Sequence, residues 1–141
     1  MSSSDAMRHP LHPALVHFPI ACWSLATLTD FSGLWFGESA WGWSAGLLVV
    51  GCVVALPAMA AGIMELSRVP DGPALRDVYL HMGLMLTAFV FFSTSLLLRL
   101  DHLQPLAPDI LSLFLDIVGF ITLAIGGWLG GRLVYGHGIG R

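Results

Sequence analysis

The sequence predicts an all-α protein, an antiparallel four-helix transmembrane bundle. Three observations predict it. Of the 141 residues, 56% are apolar and only 11% charged, with a mean hydropathy of +0.80, whereas an ordinary globular domain is about a quarter charged. Apolar stretches recur at four places, each long enough for the ~20 residues that a bilayer core requires. Period-2 alternation is absent from these stretches. They therefore read as helices, which satisfy their own backbone groups in lipid, and not as barrel strands.

The same numbers exclude disorder, a secreted disulfide scaffold and an ordinary soluble enzyme domain. A formal charge of −3 leaves no basic field for nucleic acid. The length suits a single domain over 1–141. The first ten residues, with Ser2, Ser3, Ser4 and Asp5, lack the pattern of a cleaved secretory signal.

The first span is expected over residues 13–36. Pro13 suits the opening turn of a helix, which would leave His12 outside at the cap. Pro19 interrupts the span and frees the carbonyl of Leu15. The second span is expected over 41–66, with Pro57 freeing the carbonyl of Val53. Cys22 and Cys52 fall in these two spans and read as small buried hydrophobes, because antiparallel neighbours place them at different depths. A Pro-Asp-Gly-Pro turn leads into the third span, expected over 74–100. The fourth is expected over 110–135, and its glycine-rich end is not a phosphate loop because no strand precedes it. Short connections make the helices run up-down-up-down. No tandem repeat is evident in the sequence.

Arginine placement orients the bundle. Arg8, Arg68, Arg76, Arg132 and Arg141 fall at one end and Arg99 near the other. The positive-inside rule then puts both termini in the cytoplasm, in a bacterial inner membrane. Trp35, Trp41 and Trp43 form an aromatic belt at the opposite interface.

The chain has six histidines, six arginines and no lysine. Antiparallel folding brings His12, His17, His81 and His137 to the arginine-rich face, with His9 close by in the tail. His102 belongs to the other side. Clustered imidazole in a membrane protein points to a metal, to haem or to proton handling. His17 reads as the better buried ligand, paired with His81 or His137. Arg68, Arg76 and Arg132 would pair with haem propionates. Helix glycines (Gly46, Gly51, Gly62, Gly119, Gly126, Gly127, Gly130, Gly131) would let a flat ring approach the backbone, or would serve close helix packing and a homodimer.

Deeper in the spans, Asp30 and Asp116 belong to the outer half. Asp30 is expected to bond Arg99 or to share a proton or water with Asp116, in a polar clasp between the first and fourth helices. Glu65 and Asp77 are expected to pair with Arg68 and Arg76 across the loop.

The segment His12-Pro-Ala-Leu-Val-His-Phe-Pro19 resembles the start of a bacterial four-span membrane-protein family, domain of unknown function 2231. His81 at the start of the third helix and Gly130-Gly-Arg-Leu-Val-Tyr-Gly-His-Gly138 extend the resemblance over nearly the whole chain. Some members of that family are joined to Rieske- or cytochrome-type redox domains, which implies an electron-transfer setting. The functional expectation is a cytochrome b-like electron carrier, not an enzyme with a small-molecule substrate. It would hold haem b and pass electrons to quinone or a redox partner protein within the lipid bilayer. A zinc, copper or iron ion on His12, His17, His81 and His137 is the alternative. A non-catalytic accessory subunit is the third reading.

Overall fold

In the computed structural model, residues 11–139 are described; His9, Arg8 and Arg141 lie outside them. The four helices are α1 (Leu11–Phe36), α2 (Glu38–Leu66), α3 (Pro73–Leu98) and α4 (Ile110–His137). All four are long and apolar enough to cross a membrane. They alternate in direction and bury small and aromatic residues along a central seam. Leu28, Leu97, Ile110, Phe114 and Trp128 are left facing outward. An outward apolar face is what lipid contact demands, and helices there associate through close packing and polar contacts.

Helix ends follow from local sequence. Pro73 opens α3, where a missing N–H costs nothing. Asp109 caps α4 by accepting from the Ser112 N–H and hydroxyl, each at 2.7 Å. These two bonds, the hydroxyl first, hold the Asp109 carboxyl below the usual carboxylate range. Gly138 closes α4 with φ 69°, while the Ile139 N–H returns to the Leu133 carbonyl.

The α3–α4 connection holds an element that was not foreseen. Leu100–Asp101 (β1) pairs antiparallel with Gln104–Pro105 (β2). His102 and Leu103 form the two-residue turn with φ of 46° and 64°. Such turns need left-handed backbone at both positions, normally Asn-Gly. The usual turn residues are missing, so the hairpin could not be read from sequence.

A second finding corrects the expectation of no repeat. The chain is two similar helical hairpins, α1–α2 and α3–α4, and several of their contacts recur at equivalent positions. His12 meets the Ala58 carbonyl at 2.7 Å, and His81 meets the Gly126 carbonyl at 2.8 Å. A Cβ on Gly62 would touch the His12 ring, and one on Gly130 the His81 ring. A Cβ on Gly51 would meet Trp23 and Cys22, and one on Gly119 would meet Phe92 and Phe91. Each α1 residue here lies 69 positions before its α3 counterpart, the separation of Asp30 from Arg99.

Because α1 and α3 run in the same direction, a pseudo-two-fold axis parallel to the helices relates the halves, as in parallel-repeat membrane proteins. Equivalent residues meet each other on this axis in three layers. At one end the His12 and His81 rings stand 6.2 Å apart, edge to face. In the middle Trp23 stacks on Phe92 at 5.0 Å and 12°. At the other end Arg99 Nη1 donates to Asp30 Oδ2 at 2.6 Å.

Of the two partners expected for Asp30, Arg99 is bonded directly, which joins α1 to the end of α3, and Asp116 of α4 lies beside it. Arg99 extends the clasp to α2, donating to Ser44 Oγ at 3.1 Å and to the Trp41 carbonyl at 3.3 Å. Arg99 reaches this position because it is the C-cap of α3, directly above the seam. Cys22 and Cys52 are free thiols, and Ser93 donates to Cys52 Sγ.

Two stability predictions follow from these contacts. Asp30→Asn leaves a buried guanidinium without its counter-charge and should destabilise the fold by about 3–5 kcal/mol, while Asp30→Leu with Arg99→Leu should cost far less. Thermal unfolding in detergent compares the two. In the hairpin, His102→Asn with Leu103→Gly should raise the unfolding midpoint, since each relieved left-handed residue contributes about 1 kcal/mol; an unchanged or lower midpoint would count against the turn geometry.

Candidate functional site

The histidine end is built by the first turns of α1 and α3 and the last turns of α2 and α4. His12 is the second described residue of α1, which is helical from Leu11. The sequence reading opened this helix at Pro13 and left His12 at the cap. With the helix already formed at Leu11, His12 turns inward. Its Nδ1 is 2.7 Å from the Ala58 carbonyl, and its backbone N–H donates to Glu65 Oε1 at 3.3 Å. The second contact supplies a partner to a first-turn N–H that the helix itself cannot satisfy, and it places a negative charge at the helix N-terminus.

His17, expected to be the more buried ligand, is instead exposed on the outer face. The reason is angular. Five residues rotate a helix by about 140°, so once His12 faces the seam His17 turns away from it. His81 faces the seam, half-buried, with Nδ1 2.8 Å from the Gly126 carbonyl. A carbonyl oxygen only accepts, so Nδ1 donates in both rings, and in the neutral tautomer that does this the lone pair is on Nε2.

His137 belongs to a separate group at the rim. Its Nε2 lies 3.1 Å from Asp77 Oδ2, and Arg132 Nη2 lies 2.9 Å from the same oxygen. Arg132 also sits over the Trp128 ring at 5.8 Å. Asp77 therefore pairs with α4, and Glu65 with α1; neither pairs with Arg68 or Arg76 as expected. Arg76 follows Asp77's position by one residue in reverse, and neighbours one apart on a helix do not face each other. Arg68 and Arg76 are exposed at the loop, and His102 is exposed at the far end.

The structure thus brings His12 and His81 together and separates them from His17 and His137. Among the described residues, no three His, Cys, Asp or Glu side chains come together as a ligand set. The glycines expected to line a flat ring are used otherwise. Gly62 and Gly130 seat the two imidazoles, Gly51 seats Trp23, Gly119 seats Phe92, and Gly126 lies against Met85 and Leu84. Gly46, Gly127 and Gly131 have open space at the Cβ position.

A parallel-repeat bundle of four membrane helices with an imidazole pair on its axis defines the class: an integral membrane protein with a symmetric two-histidine end. More narrowly, residues 8–141 match the family described as Predicted membrane protein (DUF2231), and the chain belongs to it. No curated protein and no solved structure matches the chain.

The seating glycines generate a prediction. Gly62→Ala or Gly130→Ala drives a methyl to 3.0 Å from an imidazole. Each should cost about 1–3 kcal/mol as overpacking and shift the ring signals of the adjacent histidine in NMR. Gly46→Ala, with free space, should be neutral or slightly stabilising.

Proposed function

We propose that this chain is a b-type haem protein that carries electrons within the membrane, with His12 and His81 as the residues that would hold the haem iron. One observation carries the reading. Two imidazoles from equivalent positions face each other on the axis, each with Nδ1 bound to a helix carbonyl and Nε2 left for a metal. Metal-bound histidines are oriented in this way by the bond their other nitrogen makes.

The size of the ligand set favours haem over a bare ion. A protein zinc site takes three or four protein ligands, and only two imidazoles converge here among the described residues. A porphyrin supplies four nitrogens of its own, so two are enough. When bound, haem supplies one-electron chemistry. The chain's own residues fix the ligand rings, through Ala58 and Gly126, and exclude water through the Trp23–Phe92 layer below them. Arg68 and Arg76 are exposed at the same end and suit propionates, while Arg132 is already held by Asp77. The arginine distribution supports a cytoplasmic placement of this end in a bacterial inner membrane. A quinone or a redox protein would be the partner there. A copper, iron or zinc ion that the same two imidazoles would hold is the second reading, and it rests on their convergence at one end of the bundle.

The absorption spectrum of the purified full-length chain, expressed with ample haem, tests this. A Soret band should be present, should disappear in His12→Ala and in His81→Ala, and should survive in His17→Ala. A colourless protein overturns the haem reading. Elemental analysis showing about one metal per chain without a Soret band would transfer the site to a bare ion.

A further inference from the structure

The opposite end of the bundle holds a second buried polar cluster, independent of any haem. Asp30, Asp116, Ser44, Ser95 and Ser112 are each 0% exposed, and Arg99 is 1% exposed. The hydrogen bonds within it are incomplete. Arg99 Nη1 serves Asp30 Oδ2 and Ser44, and Nη2 serves the Trp41 carbonyl. Ser95 Oγ donates to the Ser112 carbonyl at 3.4 Å. Among the described residues, Asp30 Oδ1, Arg99 Nε and both carboxyl oxygens of Asp116 have no hydrogen-bond partner. Asp116 has Asp30 and Ser95 among its polar neighbours, and Arg99 is within electrostatic reach.

Charge bookkeeping identifies what is missing. Two ionised carboxylates and one guanidinium would leave a net negative charge in a dry membrane interior, where an unpaired charge costs several kcal/mol or is neutralised by a proton. Among the described residues, the groups facing the cluster from each element supply no second cation. From α1 comes Asp30, from α2 Ser44 and the Trp41 carbonyl, from α3 Ser95 and Arg99, and from α4 Ser112 and Asp116. Asp109, outside on the α4 cap, is another acid. The geometry has one acceptor oxygen on Asp30 unused and a neighbouring carboxyl with neither oxygen engaged. One proton placed between them engages Asp30 Oδ1 and one oxygen of Asp116 and removes the excess negative charge.

We propose that Asp30 and Asp116 form a proton-binding site, in which one proton resides on Asp116 and is donated to Oδ1 of Asp30. An O–H bond forms on Asp116, the carboxylate of Asp30 keeps its charge against Arg99, and the cluster is neutral. Asp116 has no counterpart in the other half, where the equivalent position is Leu48.

Infrared spectroscopy of the full-length chain in detergent at neutral pH, in light and heavy water, tests the site. The wild-type protein should show the carbonyl stretch of a protonated carboxylic acid, shifted by deuteration. The band should be lost in Asp116→Asn and in Asp116→Leu, and both variants should fold, because each replaces a neutral group by a neutral group. Absence of the band from the wild-type protein overturns the proposal whether or not the variants fold. Survival of the band in either variant also overturns it. The haem reading is untouched by either result, since it concerns the other end of the bundle and another spectrum.

Discussion

Equivalent residues of the two hairpins meet each other on a single axis, and the rest of the molecule is arranged around that constraint. A residue on such an axis must be compatible with its own counterpart, as in an isologous interface. Trp23 against Phe92 meets the condition by flat stacking, with Gly51 and Gly119 giving up their side chains to make room. His12 against His81 meets it edge to face, with Gly62 and Gly130 doing the same. Large groups occupy the seam from α1 and α3, and small ones recede from it on α2 and α4. This division explains why the tightest helix pairs are α1–α2 and α3–α4. Without a hydrophobic drive between helices in lipid, such close approach is the main source of cohesion.

Polarity is sorted along the same axis. The middle layer is apolar and aromatic, and polar groups collect near the two ends. At the histidine end they meet backbone carbonyls of the neighbouring helix, which accept a second hydrogen bond without breaking the helical one. At the tryptophan end they meet Asp30 and Arg99, whose ion pair ties α1, α2 and the end of α3 together. Removing one member of a buried pair is costly, and replacing both is not. The clasp therefore owes its importance to mutual dependence more than to net attraction.

The spans and their antiparallel order were legible because hydropathy is a sum over some twenty residues and survives local error. The Asp30–Arg99 contact was legible because two lone charges at one depth in lipid must find each other. The choice between His12 and His17 was not, since it turns on which face of α1 meets the seam: the buried stripe through Pro19, Trp23, Ala26 and Asp30 runs back to His12 at seven residues before Pro19, and His17 falls off it. Asp77's partners were misread for a related reason: the loop places Arg76 beside it in sequence, but the packing of α3 on α4 places Arg132 and His137 beside it in space. The internal repeat escaped notice because few identities carry it. His12 and His81, Ser44 and Ser112, Gly51 and Gly119, and Gly62 and Gly130 match, while lipid-facing positions are free to differ among apolar residues.

The two ends of the axis show why some paired positions stay alike and others do not. Two imidazoles can meet on the axis because each turns one nitrogen to a carbonyl of its own hairpin, so the identical pair at positions 12 and 81 needs no difference between the halves. A charged residue on the axis has no such freedom. An aspartate at position 30 would face an aspartate at 99, and an arginine an arginine, with like charges in a low-dielectric interior. Opposite charges solve the problem only if the halves differ, as Asp30 and Arg99 do. Asp116, opposite Leu48, departs from symmetry again and adds a second carboxyl to one side. The symmetric end is suited to hold a symmetric group, and the asymmetric end to hold a single proton.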